Sequence, residues 1–252
     1  MHKTDEKHIF AVYVGHLFAS QKIAAGNSVQ VTDPDVVHRI VTVLRMQIGQ
    51  ELILFDDTNH YQITIADIRK NKALTVMVSS VATNPKPNLE IHFVLPLLKK
   101  EALEEAIYSL TEIGVSTISL VVTSKSQKQL TDKEMARLHK VKVSAAEQSK
   151  YFALPDISKP VSWEKFCAQQ DSVEPAALVF DPSGKPALEL LLPLHQQKIK
   201  KITCLIGPEG GLISSETQMA TQLGFKPCKL TATVLRAVQA AAVGAGLIAT
   251  IL

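Results

Sequence analysis

The sequence has little of what marks secreted, zinc-bound or disordered proteins. Only three of its 252 residues are cysteine, Cys167, Cys204 and Cys228, and no two of them form a Cys-x-x-Cys pair. Such a set argues against a disulfide framework and a structural metal site, and it favours a reducing compartment, the cytoplasm. Aromatic residues make up only 5% of the chain, yet 46% of it is hydrophobic, which is enough for a large globular core.

Long apolar runs and charge of one sign are also scarce. The most apolar stretch, residues 237–252, contains Gln239 and is shorter than the roughly 20 residues that a membrane-spanning helix needs. We expect a buried helix there, and no membrane contact. The first ten residues carry both acids and bases and lack the apolar centre of a signal peptide. The net charge is only +3, so charge alone does not indicate a polyanionic partner.

Two prolines in the segment 83–88, Thr-Asn-Pro-Lys-Pro-Asn, predict a boundary between two domains. Neither a helix nor an interior strand continues through such a segment. Before it, runs rich in β-branched residues alternate with polar turns, and strands are expected at residues 8–14, 51–55, 60–68 and 73–81. This pattern predicts a small β-rich domain over residues 1–82, in the form of a compact barrel.

Two sets of basic side chains are candidates for phosphate contact, although residues 1–84 hold eight basic and eight acidic residues. Asp33 followed by Pro34 predicts the start of a short helix that presents Arg39 and Arg45 in the first domain. In the second domain, residues 125–150 hold seven basic and three acidic residues. Two explanations stay open for both sets: a surface that contacts phosphates, or an ordinary solvated surface with ion pairs.

After the proline segment, apolar strands alternate with amphipathic helices. Strands are expected at residues 89–95, 115–122, 176–180 and 202–206. One helix is expected at residues 99–113, closed by Gly114, and a second begins after the capping box of Thr131 and Glu134. A third helix runs from Ser214 or Ser215 as N-cap to about Leu223 and is closed by Gly224. This alternation predicts an α/β domain with a mainly parallel sheet, whose ligands lie at the carboxyl ends of the strands. Two loops qualify: the turn at residues 181–184 and the segment 207–211.

The segment 207–211, Gly-Pro-Glu-Gly-Gly, is called the glycine loop below. It holds three of the 11 glycines directly after a buried strand, and glycine lets a ligand approach the backbone closely. The loop lacks the pattern of a P-loop and of a dinucleotide fingerprint, and Glu209 disfavours a phosphate. A ligand with an adenine edge and a cationic centre suits it better, while a tight turn without a ligand stays an alternative.

Several motifs resemble the RsmE family. Residues 206–212 read Ile-Gly-Pro-Glu-Gly-Gly-Leu, Ser-Ser-Glu follows at 214–216, and Val-Leu-Arg stands at 234–236. Further matches are Thr-Glu-Ile-Gly-Val at 111–115, Ala-Glu-Gln-Ser at 146–149, Leu-Pro-Asp-Ile at 154–157 and the segment 38–49. Members of this family belong to the SPOUT superfamily and methylate N3 of a uridine in the 16S rRNA of the small ribosomal subunit, with S-adenosylmethionine as methyl donor.

The resemblance implies a PUA-like, RNA-binding β-barrel over residues 1–82 and a trefoil-knotted α/β methyltransferase domain over residues 89–252, in a cytoplasmic homodimer. It implies that S-adenosylmethionine lies between three loops, and that no metal takes part. The implied cofactor-binding residues are Phe180, Asp181, Pro182, Leu205, Ile206, Gly207, Pro208, Glu209, Gly210, Gly211, Leu230 and Leu235. The residues implied to hold RNA phosphates are Arg39, Arg45, Lys125 and Lys150. Arg236 is our candidate catalytic residue, because a fixed cation can stabilise the uracil anion.

The chain departs from the family after Arg236. Residues 237–240 read Ala-Val-Gln-Ala, where the family usually has Thr-Glu-Thr-Ala, so Val238 stands in place of a carboxylate and the general base has no candidate. Lys125 and Lys150 stand in place of arginines, and lysine keeps the charge but loses the planar, two-pronged grip. Two alternatives therefore stay open: a catalytically impaired RNA-binding or ribosome-assembly module, and a SPOUT methyltransferase with a different RNA target.

Overall fold

A computed structural model describes residues 9–18, 22–69, 72–170 and 176–252 of the chain. The chain divides into two compact units. The first contains residues 1–86 and 146–153, and the second contains residues 87–145 and 154–252. The first division falls inside the proline segment. The return of residues 146–153 to the first unit was not expected from the sequence.

The first unit is built on a five-stranded sheet. Its strands are β1 (Phe10–Tyr13), β2 (Ser28–Val31), β3 (Glu51–Phe55), β4 (Asn59–Arg69) and β5 (Ala73–Thr83). Their order is β1-β3-β4-β5-β2, with β1 parallel to β3 and the other pairs antiparallel. The four strands expected from the sequence correspond to β1, β3, β4 and β5. Residue 8, where the first was expected to begin, lies outside the described residues. The four-residue β2 was missed.

Asp33 starts the short helix α1 (Pro34–His38), as expected. Its carboxylate accepts the N–H groups of the second and third helical residues at 3.0 and 2.9 Å, and Pro34 needs no partner at the first position. The chain continues through one π-helical turn, Arg39–Val43. Arg45 then adopts the left-handed region, with φ of 54°, and the helical segment ends.

The second unit contains a parallel sheet. Its strands are β6 (Glu90–Pro96), β7 (Thr117–Val122), β8 (Asp156–Ile157), β9 (Val161–Ser162), β10 (Ala177–Pro186), β11 (Lys201–Ile206) and β12 (Lys226–Lys229). The order is β12-β10-β11-β6-β7-β8, with β9 also paired to β7, and all pairs are parallel. Five of the six residues of β11 are buried, as in a sheet covered on both faces. The predicted α/β class is confirmed.

Six helices accompany this sheet in the part of the chain that the structure describes. They are α2 (Lys100–Ile113), α3 (Asp132–Ser149, whose last four residues count with the first unit), α4 (Trp163–Ala168), α5 (Ala187–Gln196), α6 (Ser214–Gln222) and α7 (Ala237–Ile251). Gly114 and Gly224 follow α2 and α6 with φ of 90° and 93°, which confirms both glycine caps. At the start of α3, the Glu134 carboxylate accepts the Thr131 N–H at 2.9 Å, which confirms the capping box.

The apolar C-terminal segment is the buried helix that we expected. Small residues on one side of α7, Ala241, Gly244 and Ala245, are buried, and the helix packs against α2. Among the described residues, no helix is both long enough and apolar enough to cross a membrane.

His92 on β6 is a largely buried base that we expect to make the protein sensitive to acid. Its Nε2 lies 2.8 Å from Ser119 Oγ. Burial, with a contribution from the charge of Lys201, lowers the pKa of His92 from 6.5 to about 4. The unfolded chain takes up this proton at the ordinary pKa. The free energy of unfolding should therefore fall by about 2–3 kcal/mol as the pH falls from about 6.5 to about 4.

Urea unfolding at a series of pH values measures this effect. His92→Gln keeps a group that can hydrogen-bond to Ser119 but cannot titrate in this range. The variant should lose most of the pH dependence between 6.5 and 4. A variant with the same slope as the wild type would show that other groups cause the acid sensitivity.

Candidate functional site

A cavity of about 520 Å³ opens at the carboxyl end of β11 and beside residues 179–183 of β10. Its lining includes residues 179–183 of β10, most of the glycine loop, one face of α6, and residues 234–237 at the start of α7. Ligands of parallel α/β sheets bind at this edge, and the volume lies within the roughly 300–1,000 Å³ of small-molecule sites. Both loops selected from the sequence border this cavity.

Residues 181–184 form a bulge inside β10, whereas we expected a turn that ends the strand. Phe180 and Lys185 both pair with Cys228 on β12, so the four residues between them leave the ladder. The strand then resumes, which no local pattern indicated. The bulge places its first three residues on the wall of the cavity.

Two interactions hold the bulge in shape. Asp181 Oδ1 accepts the N–H of Ser183 at 2.8 Å and the Ser183 hydroxyl at 2.5 Å. A Cβ on Gly184 would overlap the backbone of Pro227, so the bulge packs directly on the chain beside it. Only glycine allows this approach.

The glycine loop is a tight turn with one side on the cavity. The Gly211 N–H donates to the Pro208 carbonyl at 2.8 Å, and Gly211 has φ of 69°, in the left-handed region that favours glycine. Lys125 Nζ donates to the Gly210 carbonyl at 2.8 Å. Four loop residues therefore line the cavity, while Gly210 is bonded to Lys125 and does not line it.

The start of α6 differs from the expectation by one residue. Ile213 holds the N-cap position and Ser214 is already helical, so neither Ser214 nor Ser215 is the cap. The Ile213 side chain has no acceptor, and the Glu216 carboxylate accepts the Ile213 N–H at 2.9 Å instead. Sequence reasoning included Glu216 in the Ser-Ser-Glu match but gave it no role. The glutamate three residues after the N-cap was the available signal.

Most of the implied cofactor-binding residues meet at the cavity. Nine of them line it: Phe180, Asp181, Pro182, Ile206, Gly207, Pro208, Glu209, Gly211 and Leu235. Three do not: Leu205 is fully buried, Leu230 lines an adjoining hollow of about 50 Å³, and Gly210 lies under Lys125. One face of α6, with Thr217, Ala220 and Thr221, also lines the cavity. The sequence reasoning missed these three, although their helical spacing marked one face.

Arg236 lines the cavity from the N-cap position of α7 and is exposed. It forms no ion pair with any residue that the structure describes, so its guanidinium is available to a ligand. Val238, which stands in place of the family's carboxylate, is 7% exposed and packs in the core. The position has therefore become part of the packing of α7.

The residues implied to bind RNA differ in their surroundings. Within the first unit, Arg39 forms an ion pair with Glu147, which also accepts the Tyr13 N–H at 3.1 Å. Burial raises the pKa of Glu147 despite these two partners. Of the two explanations for Arg39, phosphate contact or an ion pair within the protein, the structure supports the ion pair. Arg45 and Lys150 are exposed, and both have positive φ, of 54° and 57°.

Two family models match this chain. The model described as an RNA methyltransferase domain covers residues 84–249, about two thirds of the chain. The chain belongs to the RNA methyltransferase family. A second model, described as an RNA methyltransferase PUA domain, covers residues 26–78. The prediction that this protein is an RNA methyltransferase is confirmed.

Known proteins also confirm the resemblance of this methyltransferase to RsmE. The ribosomal RNA small subunit methyltransferase E of Rickettsia conorii is 26% identical over 227 residues, which cover 89% of this chain and 91% of that protein. The same-named protein of Bacillus subtilis is 24% identical and covers 86% of this chain and 87% of its own length.

Solved structures show the same fold. The ribosomal RNA small subunit methyltransferase E of Neisseria gonorrhoeae, bound to S-adenosyl methionine, superposes with a TM-score of 0.82 at 20% identity, over 96% of this chain and 98% of that one. A Legionella pneumophila protein in complex with the cofactor SAM gives a TM-score of 0.81 at 23% identity, over 97% and 98%.

Proposed function

We propose that this methyltransferase transfers a methyl group from S-adenosylmethionine to N3 of a uridine in 16S rRNA of the small ribosomal subunit. The observation that carries the proposal is the cavity in which the glycine loop, the β10 bulge and Arg236 converge, where Arg236 forms no ion pair with a described residue. Relatives named for small-subunit rRNA methylation and neighbours solved with S-adenosylmethionine support it.

The residues around the cavity fit S-adenosylmethionine. Phe180, Ile206 and Leu235 offer apolar surface for an adenine ring, and the backbone of the glycine loop offers donors and acceptors for polar edges. Two carboxylates on the wall, Asp181 and Glu209, favour a cationic ligand over a phosphate. When bound, the cofactor supplies an electrophilic methyl group on a positively charged sulfur.

Arg236 acts on the uracil in this proposal. Methylation of N3 would require its proton to leave, to solvent in the absence of a base on α7, with S-adenosylhomocysteine as the leaving group. The uracil ring would carry negative charge as the proton is lost. A guanidinium aimed at that ring stabilises the charge. Because Val238 is buried and carries no carboxylate, α7 supplies no general base, and correct placement of the two substrates provides much of the remaining rate.

We further propose that residues 1–82 form a PUA-like barrel, that residues 89–252 form a trefoil-knotted SPOUT domain, and that two copies act as a cytoplasmic homodimer. The family models and the RsmE-like fold support the domains. Arg45, Lys125 and Lys150 contact RNA phosphates in this proposal. Arg39 is not among these phosphate contacts in the proposal, because it is paired with Glu147.

Mapping of the modified nucleotides of 16S rRNA tests this function. In a strain that lacks the gene, a single N3-methyluridine should disappear, and the wild-type gene on a plasmid should restore it. Loss of a different methylated nucleotide would contradict the uridine N3 target and favour another RNA position. No lost methylation, together with binding of S-adenosylhomocysteine, would favour the catalytically impaired module.

A further inference from the structure

Glu216 on α6 is a buried carboxylate that joins two distant segments of the second unit. The residue is 2% exposed. One oxygen accepts the N–H of Ser124 at 2.6 Å, and the other accepts the N–H of Ile213 at 2.9 Å. No cation among the described residues pairs with it. Its charge is therefore balanced by backbone donors, and charge-assisted bonds of this kind are stronger than neutral ones.

The segment that contains Ser124 is held together by hydrogen bonds of its own. The Thr123–Lys128 segment follows β7, and Lys128 Nζ donates to the carbonyls of Thr123 and Ser124, both at 2.8 Å. This lysine closes the segment into a compact loop. The bond from Glu216 to Ser124 therefore anchors the whole segment and not a single mobile residue.

The same segment touches the glycine loop at a second point. Lys125 Nζ donates to the Gly210 carbonyl at 2.8 Å, and Lys125 Cδ lies 2.9 Å from the place that a Cβ on Gly210 would take. The Lys125 side chain is thus packed on Gly210, and neither residue lines the cavity.

These contacts hold the chain at Gly210, inside the glycine loop, and at Ile213, two residues after the loop. Lys125 makes the contact at Gly210, and Glu216 makes the contact at Ile213. We propose that Glu216 is a positioning residue for the cofactor: through Ser124 and Ile213 it holds the Thr123–Lys128 segment against the glycine loop and keeps that loop in its ligand-binding shape. The inference rests on the proposed function, because it assigns the cavity to S-adenosylmethionine.

The chain offers a matched control in Glu134. It holds the same third position in α3 that Glu216 holds in α6, and it accepts its own cap, the Thr131 N–H, at 2.9 Å. Its described hydrogen bonds all go to Thr131, and it is not among the residues that line the cavity. Replacing either glutamate with glutamine removes the charge and leaves one acceptor oxygen. Glu134 uses one oxygen and can keep its cap, whereas Glu216 uses both, so only Glu216→Gln leaves a backbone N–H without its acceptor.

Calorimetric titration with S-adenosylhomocysteine and steady-state methylation of small subunits test the proposal. For Glu216→Gln, the loss of one acceptor and of the charge on the other should raise the Kd and the KM for the cofactor by about tenfold. Turnover at saturating cofactor should stay near the wild-type value, since Glu216 touches no reacting atom. For Glu134→Gln, cofactor Kd and KM should not change.

A wild-type Kd in Glu216→Gln would overturn the proposal, as would an equal loss of affinity in both variants. If Glu216→Gln does not fold, Lys125→Met decides the matter, because it keeps the stem on Gly210 and removes only the bond to the carbonyl. A raised Kd in that variant supports the proposal, and an unchanged Kd overturns it. Wild-type protein that binds no S-adenosylhomocysteine would instead contradict the proposed function.

Discussion

Arg236→Ala is expected to lower kcat for methyl transfer by about 100- to 1,000-fold, the usual loss when one donor to a developing anion is removed. The guanidinium lines the cavity without an ion pair to any described residue, so the change removes little else. Arg236→Lys should recover part of the rate, because it keeps the charge and loses the planar geometry. Methylation of small subunits from a strain that lacks the gene, at saturating cofactor, gives the measurement.

Arg69→Ala is the control for this variant. Arg69 is also exposed, at 67% for its side chain, and pairs with Asp67 at 3.2 Å on the first unit's sheet. Its removal changes the net charge equally and should leave kcat unchanged. Full activity of Arg236→Ala would contradict the catalytic role, and an equal loss in both variants would point to a general charge effect on RNA binding.

Elements with strong local patterns were predicted well. The helix α2 has regular apolar spacing and a glycine cap, and Asp33 with Pro34 marks the start of α1. The strand β2 was missed because only Val29 and Val31 of its four residues are buried, too short a run to stand out. The β10 bulge was missed because it depends on Cys228, which lies on another strand.

In the candidate site, too, features with a local sequence pattern were predicted and contacts between residues distant in sequence were not. The glycine loop was found because its composition alone is unusual. The ion pair of Arg39 could not be predicted from neighbouring residues, since its partner Glu147 lies 108 residues away in sequence. The bond between Glu216 and Ser124 spans 92 residues. Side chains that hold a site from a distance leave no local signature, and only the folded structure identifies them.

Gly244→Ala is expected to destabilise the protein by about 1–3 kcal/mol, the usual cost of extra volume in a packed core. A Cβ on this buried residue of α7 would overlap the ring of Phe180. The ring would have to move, and because it lines the cavity, affinity for S-adenosylhomocysteine should fall as well. Alanine is otherwise the better helix former by about 1 kcal/mol, so a loss of stability runs against the intrinsic preference of the helix.

Gly246→Ala is the matched control on the same helix. Apart from the adjoining residues and backbone of α7 itself, no described atom lies within 4 Å of the Cβ that it would add. This variant should therefore gain up to about 1 kcal/mol of stability and bind the cofactor analogue as the wild type does. Urea unfolding and calorimetric titration of both variants measure the two effects.

A double variant identifies Phe180 as the cause. Phe180→Leu replaces the ring with a smaller side chain, so Gly244→Ala should cost less in that background than in the wild type, a coupling expected only between residues in contact. Equal costs in both backgrounds would mean that the ring does not oppose the added methyl group. The close fit of Gly244 to Phe180 would then have no part in shaping the cavity.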